Sequence, residues 1–172
     1  MVTSFFRGKF LFLVFVVFLI PASVFAETGA QKLAAIEGGV YGNVQEVGFR
    51  AFIFKQAIRY NLGGSIENQP DGSVHFTLQG PPVRLDEALM LIKQGPEKAT
   101  VTDVKVAVCL VRKDITFVVV KGWTSKSRDF DHPVDLVYSL RPEDEILSDS
   151  EAGQIFKKII RAAMPPADRA HR

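Results

Sequence analysis

Hydrophobic patterns of strand type and helix type alternate along this chain in an order that few folds can accommodate. Residues 34–43 alternate as a strand does, and from Phe49 apolar side chains recur at helical spacing for about 12 residues. The same signals then predict two strands, a second helix and two further β-rich runs over 64–80, 83–95, 99–113 and 114–122. The predicted order is strand, helix, strand, strand, helix, strand, with one strand added at the end.

Turn residues separate these segments at the expected places. The first helix should stop at Asn61 and Gly63, and Pro70-Asp71-Gly72 predicts a hairpin turn. We therefore expect an α+β domain of the ferredoxin-like type, the split βαβ (βαββαβ) arrangement with an antiparallel sheet and two helices on one face. In such a sheet we expect the strand after the first helix to lie beside the first strand.

The N-terminal segment has the pattern of a secretory signal peptide. Arg7 and Lys9 precede the apolar run Phe10 to Ile20, and Val24 and Ala26 occupy the small-residue positions of a cleavage site. The run is shorter than the about 20 residues that span a bilayer. We expect residues 1–26 to be removed near Ala26 and the protein to be exported, periplasmic or secreted. The alternative is an anchor formed by the uncleaved segment.

Charge and histidine spacing limit the classes of ligand. Without Arg7 and Lys9 the chain has 19 basic and 19 acidic residues, so we expect no nucleic-acid partner. The histidines are scattered and have no metal-ligand spacing, so we expect no metal site: His75, His132 and His171.

The C-terminal extension, residues 122–172, differs in composition from the rest. It is charged and rich in turn residues, with short apolar pieces over 134–140, and then predicts an amphipathic helix over about 148–163. Ser148 and Glu151 have the spacing of a capping box. One interpretation is a helix that packs its apolar face on the domain; the other is contact with an envelope partner or a membrane surface.

The segment "GNVQEVGFR", residues 42–50, lies between the first strand and the first helix. Free N–H groups at a helix N-terminus, together with the helix dipole, favour an anion such as phosphate. Arg50, in the first helical turn, can add a bidentate contact to two phosphate oxygens. Alone, the segment is equally compatible with an ordinary loop and a solvated arginine. Asn68, just before the hairpin turn, can hold a water molecule, although an isolated asparagine there more often supports a turn.

Three spaced motifs resemble the acylphosphatase family. "VYGNVQEVGFR" (Val40–Arg50), "GGSIENQPDGSV" (Gly63–Val74) and "GPEKATVTDV" (Gly95–Val104) follow the family patterns V-x-G-x-V-Q-G-V-G-F-R, G-x-V-x-N-x-x-D-G-x-V and G-P-x-x-A-x-V in order and distance. The resemblance covers about residues 33–121, which we take as the domain.

The resemblance implies hydrolysis of acyl phosphates to carboxylate and phosphate, without a metal or cofactor. It implies that Arg50 binds the phosphoryl group and that Asn68 positions the attacking water. It also implies a phosphate-binding loop that supplies backbone amides: Gln45, Glu46, Val47, Gly48 and Phe49. The partner would be a small-molecule acyl phosphate or phosphate, and we expect a monomer.

Glu46 departs from the family pattern, which has glycine at this position. If the backbone there has positive φ, a side chain costs on the order of 1 kcal/mol. A carboxylate facing the phosphate would cost about another 1 kcal/mol at 4 Å in water. The alternative to an enzyme is therefore an exported, non-catalytic module that binds an anion or a partner. Loss of residues 123–172 would separate the two, since an enzyme is expected to keep its chemistry without them.

Overall fold

The computed structural model describes residues 32–124, 132–142 and 145–163. The predicted signal peptide and His171 lie outside the described residues. The elements are β1 (Ala34–Asn43), α1 (Phe49–Tyr60), β2 (Gly63–Asn68), β3 (Val74–Gly80), α2 (Pro82–Gln94), β4 (Thr100–Val108), β5 (Phe117–Trp123), β6 (Val134–Ser139) and α3 (Asp149–Ala163).

The strands form one sheet in the order β4-β1-β3-β2-β5-β6. Neighbouring strands are antiparallel except β2 and β5, which are parallel, so the sheet is mixed. The predicted ferredoxin-like class is confirmed. The expectation that β2 lies beside β1 was wrong: β3 lies between them, because it pairs with β2 through the hairpin and with β1 along its other edge.

Both predicted helices pack on the same face of the sheet. α1 contacts β2, β3 and β5, α2 contacts β1, β3 and β4, and the two helices contact each other. The buried core lies between these layers. Its largest fully buried aromatic side chains are Phe49 and Phe54 of α1 and Phe76 of β3.

α1 begins at Phe49, where the helical spacing of apolar side chains begins, and it ends before Asn61, as the sequence predicts. Its N-cap is Gly48, with φ 83°, and its C-cap is Asn61, with φ 54°. Both residues are left-handed, a conformation that glycine and asparagine adopt at lower cost than other residues. The helix is 12 residues long, and its first two residues, Phe49 and Arg50, follow directly from the loop after β1.

The C-terminal extension adds a strand and a helix to this domain. β6 pairs antiparallel with β5, and Leu136 of β6 is fully buried. Only short apolar pieces were predicted here, although the alternation of Val134, Leu136 and Tyr138 with other residues is a strand pattern.

α3 packs against α1 and β6, so the apolar face of this helix is used within the described structure. Ala152 and Ile160 are buried, and Ile155, Phe156, Ile159 and Ala163 pack against the core. This packing agrees with the first of the two interpretations, a helix that packs its apolar face on the domain. In the described residues no helix is long and apolar enough to cross a membrane.

Arg141 attaches the extension to the C-terminal end of α1. Its Nη1 donates to the carbonyl of Ile58 at 3.0 Å, and its backbone N–H donates to Asn61 Oδ1 at 2.8 Å. A cation near the last carbonyls of a helix is favourable, because the helix dipole is negative there. The extension is thus hydrogen-bonded to the helix whose first turn carries Arg50.

The predicted capping box at the start of α3 is present. The backbone N–H and the hydroxyl of Ser148 donate to Glu151 Oε2 at 2.9 and 2.6 Å, and the N–H of Glu151 donates to Ser148 Oγ at 3.3 Å. The bonds from Ser148 lower the pKa of Glu151.

We expect Ser148→Ala to lower the free energy of unfolding by about 1 kcal/mol, because it removes an N-cap side chain. Because the pKa of Glu151 is lowered in the folded state, the bonds to its carboxylate stabilise the protein above the unfolded pKa and are lost as the pH falls through the folded one. The difference between variant and wild type should therefore shrink at acidic pH. Denaturant unfolding measures both effects.

Ser150→Ala is the matched control, since Ser150 is exposed in the same helical turn but is not the capping residue. Equal destabilisation by the two substitutions would contradict the capping assignment.

Candidate functional site

The loop between β1 and α1 is held at both ends by buried side chains. Val44 and Phe49 are each 1% exposed, whereas Glu46 and Gly48 are exposed. Glu46 has φ 60° and Gly48 has φ 83°, so both are left-handed. Gln45 and Val47, which precede them, do not have positive φ, so the two conformations alternate along the loop. Turns of this kind direct successive N–H groups into one concavity, which suits an anion.

The N-terminus of α1 is open in the part of the chain that the structure describes. No side chain there caps Gly48, and the helical bonding pattern begins with the N–H of Phe52, which donates to the Gly48 carbonyl at 3.0 Å. The earlier N–H groups of a helix have no intrahelical acceptor. With the helix dipole they favour negative charge at this position.

Gln45 has a structural role that the sequence did not indicate. Its Nε2 donates to the carbonyls of Gln69 and Ser73, each at 2.8 Å. These two residues flank the turn of the β2–β3 hairpin. The side chain of Gln45 therefore ties the loop to the end of β2, where Asn68 lies.

Arg50 is fixed by two backbone carbonyls of β5. Its Nη1 donates to the carbonyls of Lys121 and Gly122, both at 2.8 Å. A guanidinium carries five N–H donors, and Nη1 supplies two of them. The edge formed by Nε and Nη2 is the edge on which an oxyanion can be bound bidentately. Burial lowers the pKa of Arg50 from its ordinary value.

An irregularity in β5 turns both carbonyls towards Arg50. The register between β5 and β6 shifts between Val120 and Trp123, and Gly122 has φ 56°. The N–H of Gly122 donates to Asp135 Oδ1 of β6 at 2.9 Å. A regular strand directs successive carbonyls to opposite edges, so the bulge is what lets two adjacent carbonyls hold one guanidinium.

Arg50 and Asn68 line the same cleft, with a volume of about 340 Å³. The other lining residues are Glu67, Lys121, Gly122 and Thr124. Asn68 is the last residue of β2, and its Oδ1 is buried and accepts no hydrogen bond within the described residues. An unpaired buried acceptor costs about 1–3 kcal/mol, which a donor at this position would offset.

The five residues of the predicted loop, 45–49, are not among those that line this cleft. They adjoin it through Arg50, the second residue of α1. A second depression, of about 550 Å³, lies on the strand face around Gly39, His75 and Lys105 and includes neither Arg50 nor Asn68. The smaller cleft is therefore the candidate site.

The aromatic support of the site was not predicted from the sequence. The guanidinium of Arg50 lies over the ring of Trp123, 5.6 Å from its centroid, a cation–π distance. Phe156 of α3 packs edge-on against Trp123, with centroids 6.0 Å apart and planes at 82°. Neither residue has a local sequence signal that points to Arg50, because only the pairing of β5 and β6 and the packing of α3 bring them together.

Charges at the cleft are mixed. Lys121 Nζ lies 3.4 Å from Glu67 Oε2, and both side chains are partly exposed, so this ion pair contributes little to stability. In the described part of the chain no group of three His, Cys, Asp or Glu side chains could hold a metal ion.

Comparisons with known proteins agree with the motifs. Residues 36–119 match the family model described as "Acylphosphatase". An acylphosphatase of Methanocella arvoryzae is 42% identical over 74 residues, which are 43% of this chain and 84% of that protein. One of Thermus thermophilus is 46% identical over 67 residues, which are 39% of this chain and 76% of that protein. The crystal structure of acylphosphatase from Bacillus subtilis is 31% identical, with a TM-score of 0.46, and covers 49% of this chain and 92% of that one.

We expect Gln45→Glu to destabilise the protein more than Gln45→Leu. Both remove two hydrogen bonds, each with a net contribution of about 0.5–1.5 kcal/mol, but the glutamate also turns acceptor oxygens towards two carbonyl oxygens. Denaturant unfolding measures the difference. Gln154→Leu, at an exposed position of α3, is the control for the general effect of the substitution. A Gln45→Glu variant as stable as wild type would show that the two hydrogen bonds from Gln45 to the hairpin do not stabilise the protein.

Proposed function

The chain belongs to the acylphosphatase family, and on that premise we propose that it hydrolyses acyl phosphates to a carboxylate and inorganic phosphate. One observation carries this proposal: Arg50 and Asn68 line one cleft beside the open N-terminus of α1. In the family motif these two residues and the loop before them are the site. The substrate class is a small molecule with a carboxylic–phosphoric anhydride bond.

Arg50 and the loop amides bind the phosphoryl group in this proposal. The Nε and Nη2 edge of Arg50 receives two phosphoryl oxygens, and the backbone N–H groups of the loop receive the others. The loop residues are Gln45, Glu46, Val47, Gly48 and Phe49. Because these donors are fixed before the reaction, they stabilise the developing charge without reorganisation.

Asn68 positions the attacking water. Its side-chain oxygen accepts a hydrogen bond from the water, whose oxygen forms a bond to phosphorus as the bond from phosphorus to the acyl oxygen breaks. The acyl oxygen leaves with the electron pair as a carboxylate, the water contributes a hydroxyl to the released phosphate, and the second proton of the water passes to a phosphate oxygen or to solvent. The carboxylate is a good leaving group, so orientation and charge stabilisation are sufficient and this scheme uses no cofactor.

We expect Arg50→Ala and Asn68→Ala each to lower kcat/KM for an aryl acyl phosphate by about 100-fold or more, since each removes a group that acts on the transition state. Phosphate release is the measurement. Arg59→Ala is the matched control, because Arg59 lies on the same helix but over the ring of Tyr60, outside the cleft. Loss of activity in Arg59→Ala equal to that in Arg50→Ala would contradict the assignment.

Glu46 provides a second test, because the effect of its negative charge can be separated from the effect of a side chain at positive φ. Glu46→Gln removes the charge and keeps the side chain at φ 60°, whereas Glu46→Gly removes both. We expect Glu46→Gln to raise kcat/KM by up to about fivefold at low ionic strength, corresponding to about 1 kcal/mol of repulsion. High salt should abolish this gain, because exposed charges are screened.

A gain from Glu46→Gln that persists in high salt would show that charge repulsion is not its cause. A further gain in Glu46→Gly over Glu46→Gln would assign that part to backbone geometry. Equal activity of wild type and both variants would show that the loop tolerates the glutamate at no cost.

The exposed Glu46 also favours one alternative, an anion-binding module that does not turn over its ligand. Such a module would bind phosphate saturably and release none from an acyl phosphate. Restored hydrolysis in Glu46→Gly alone would show that the glutamate has inactivated an otherwise complete site. If neither wild type nor this variant hydrolyses an acyl phosphate but both bind phosphate, the anion-binding module is favoured. The next test is then for an envelope partner or a membrane surface contacted through the C-terminal helix.

We place the working protein outside the cytoplasmic membrane, on the strength of the n-region and the apolar run Phe10 to Ile20. The mass of the protein recovered from cell fractions tests this: loss of residues 1–26 indicates export with cleavage near Ala26. An exported chain of full mass would indicate the anchored alternative. We expect a monomer, which sedimentation of the same sample would show.

A further inference from the structure

We propose that the C-terminal extension positions Arg50, through Phe156 and Trp123, and is therefore part of the anion site. This inference rests on the proposed role of Arg50 as the anion-binding residue. It gives a function to β6 and α3, and it reverses the expectation that the chemistry survives loss of residues 123–172.

The first step is the contact between Arg50 and Trp123. The two carbonyls of Lys121 and Gly122 hold Nη1 of the guanidinium, and the guanidinium carbon lies over the indole of Trp123, 5.6 Å from the ring centroid. Hydrogen bonds from one nitrogen leave the planar group free to tilt about that nitrogen. The ring of Trp123 limits this tilt, so the two contacts together set the direction of the Nε and Nη2 edge.

The second step is the contact between Trp123 and α3. Phe156 packs edge-on against Trp123 at 6.0 Å and edge-on against Phe54 at 6.1 Å. Phe54 belongs to α1 and is fully buried. The indole of Trp123 is thus held through Phe156 to the helix that carries Arg50, and Phe156 is the only member of this chain of rings that α3 supplies among the described residues.

The third step is the support of the two carbonyls by β6. Asp135 Oδ1 accepts a hydrogen bond from the N–H of Gly122, the residue with φ 56° at the bulge. Val134 of β6 is paired with Trp123 of β5. β6 therefore stabilises the backbone conformation that presents the carbonyls to Arg50. α3 thus supports the guanidinium through the ring of Trp123, and β6 supports it through the backbone carbonyls that hold Nη1.

Both supports come from beyond the family-matched segment, which ends at residue 119. Trp123, Asp135 and Phe156 all follow it in sequence. The surroundings of Arg50 in this protein are thus completed by residues that the family motif does not include.

The test uses variants of the full-length protein at three positions. Phe156→Leu keeps an apolar side chain but removes the ring that holds Trp123, and we expect the inhibition constant for inorganic phosphate to rise and kcat to fall by about 3- to 10-fold. Trp123→Leu removes the face against Arg50 and should cost about 3- to 30-fold, whereas Trp123→Phe restores a face and should recover part of the loss. Asp135→Ala removes the acceptor for the Gly122 N–H and should cost about 3- to 10-fold, whereas Asp135→Asn keeps an acceptor and should recover part of that loss.

Ile160→Ala is the matched control for loss of packing. Ile160 lies in the same helix and is 9% exposed, so this variant loses at least as much buried area as Phe156→Leu. We expect it to lower the midpoint of thermal unfolding while leaving kcat and the phosphate inhibition constant unchanged well below that midpoint. A role of Phe156 in stability alone would make the two variants alike in both measurements.

Fluorescence gives a readout independent of turnover. Trp123 is the single tryptophan of the chain and lies 5.6 Å from the guanidinium of Arg50. Its emission should change in Arg50→Ala without any ligand and stay unchanged in Arg59→Ala. Titration with inorganic phosphate should change the emission of wild type, with a midpoint at about 3- to 10-fold higher phosphate in Phe156→Leu.

The outcomes separate the inference from the proposed function. If wild type hydrolyses acyl phosphates and Phe156→Leu has wild-type kcat and phosphate inhibition, the inference is overturned and the function stands. If wild type hydrolyses nothing but the phosphate midpoint shifts in Phe156→Leu and not in Ile160→Ala, the function fails and the inference stands. Identical phosphate midpoints in wild type and Phe156→Leu overturn the inference in either case.

Discussion

The hydrogen bonds from one guanidinium nitrogen to two adjacent carbonyls are the constraint on which the site depends. Nη1 of Arg50 uses both of its donors on the carbonyls of Lys121 and Gly122. Arg50 therefore links the first turn of α1 to the end of β5, two elements far apart in the sequence. A lysine could not reproduce this link, because its ammonium has no planar fork that binds on one edge and offers another.

Local signals in the sequence were sufficient for most of the elements and for the general class of the fold. The end of α1 at Asn61 and the capping box at Ser148 follow from the chemistry of single residues, and the start of α1 at Phe49 follows from the spacing of apolar side chains. Strand order did not follow in the same way. The hairpin turn predicts that β2 pairs with β3, but no pattern within β2 shows whether its other edge faces β1 or β5, because that choice depends on side-chain packing across the whole sheet.

The residues of the candidate site that belong to the family motifs were predictable from the sequence, and the residues outside those motifs were not. Arg50 and Asn68 were expected to meet, and they line one cleft. Trp123 and Phe156 were not foreseen, since one lay in a segment interpreted as turn-rich and the other on a helix interpreted only by its amphipathic face. The side-chain role of Gln45 was also hidden, because its two acceptors are backbone carbonyls and carry no residue-specific signal. The positive φ of Glu46, in contrast, agrees with the conformation that a glycine at this position would suit.

The bulge in β5 has a consequence for how the protein opens. Where the register between β5 and β6 shifts, the ladder of backbone hydrogen bonds is interrupted, and interrupted ladders are places where a sheet separates at lower free energy than global unfolding. This weak point lies at the same residues whose carbonyls hold Arg50. Amide exchange near Gly122 should therefore outpace exchange in the centre of the sheet, and each such opening would release the guanidinium while the core under α1 and α2 stays folded.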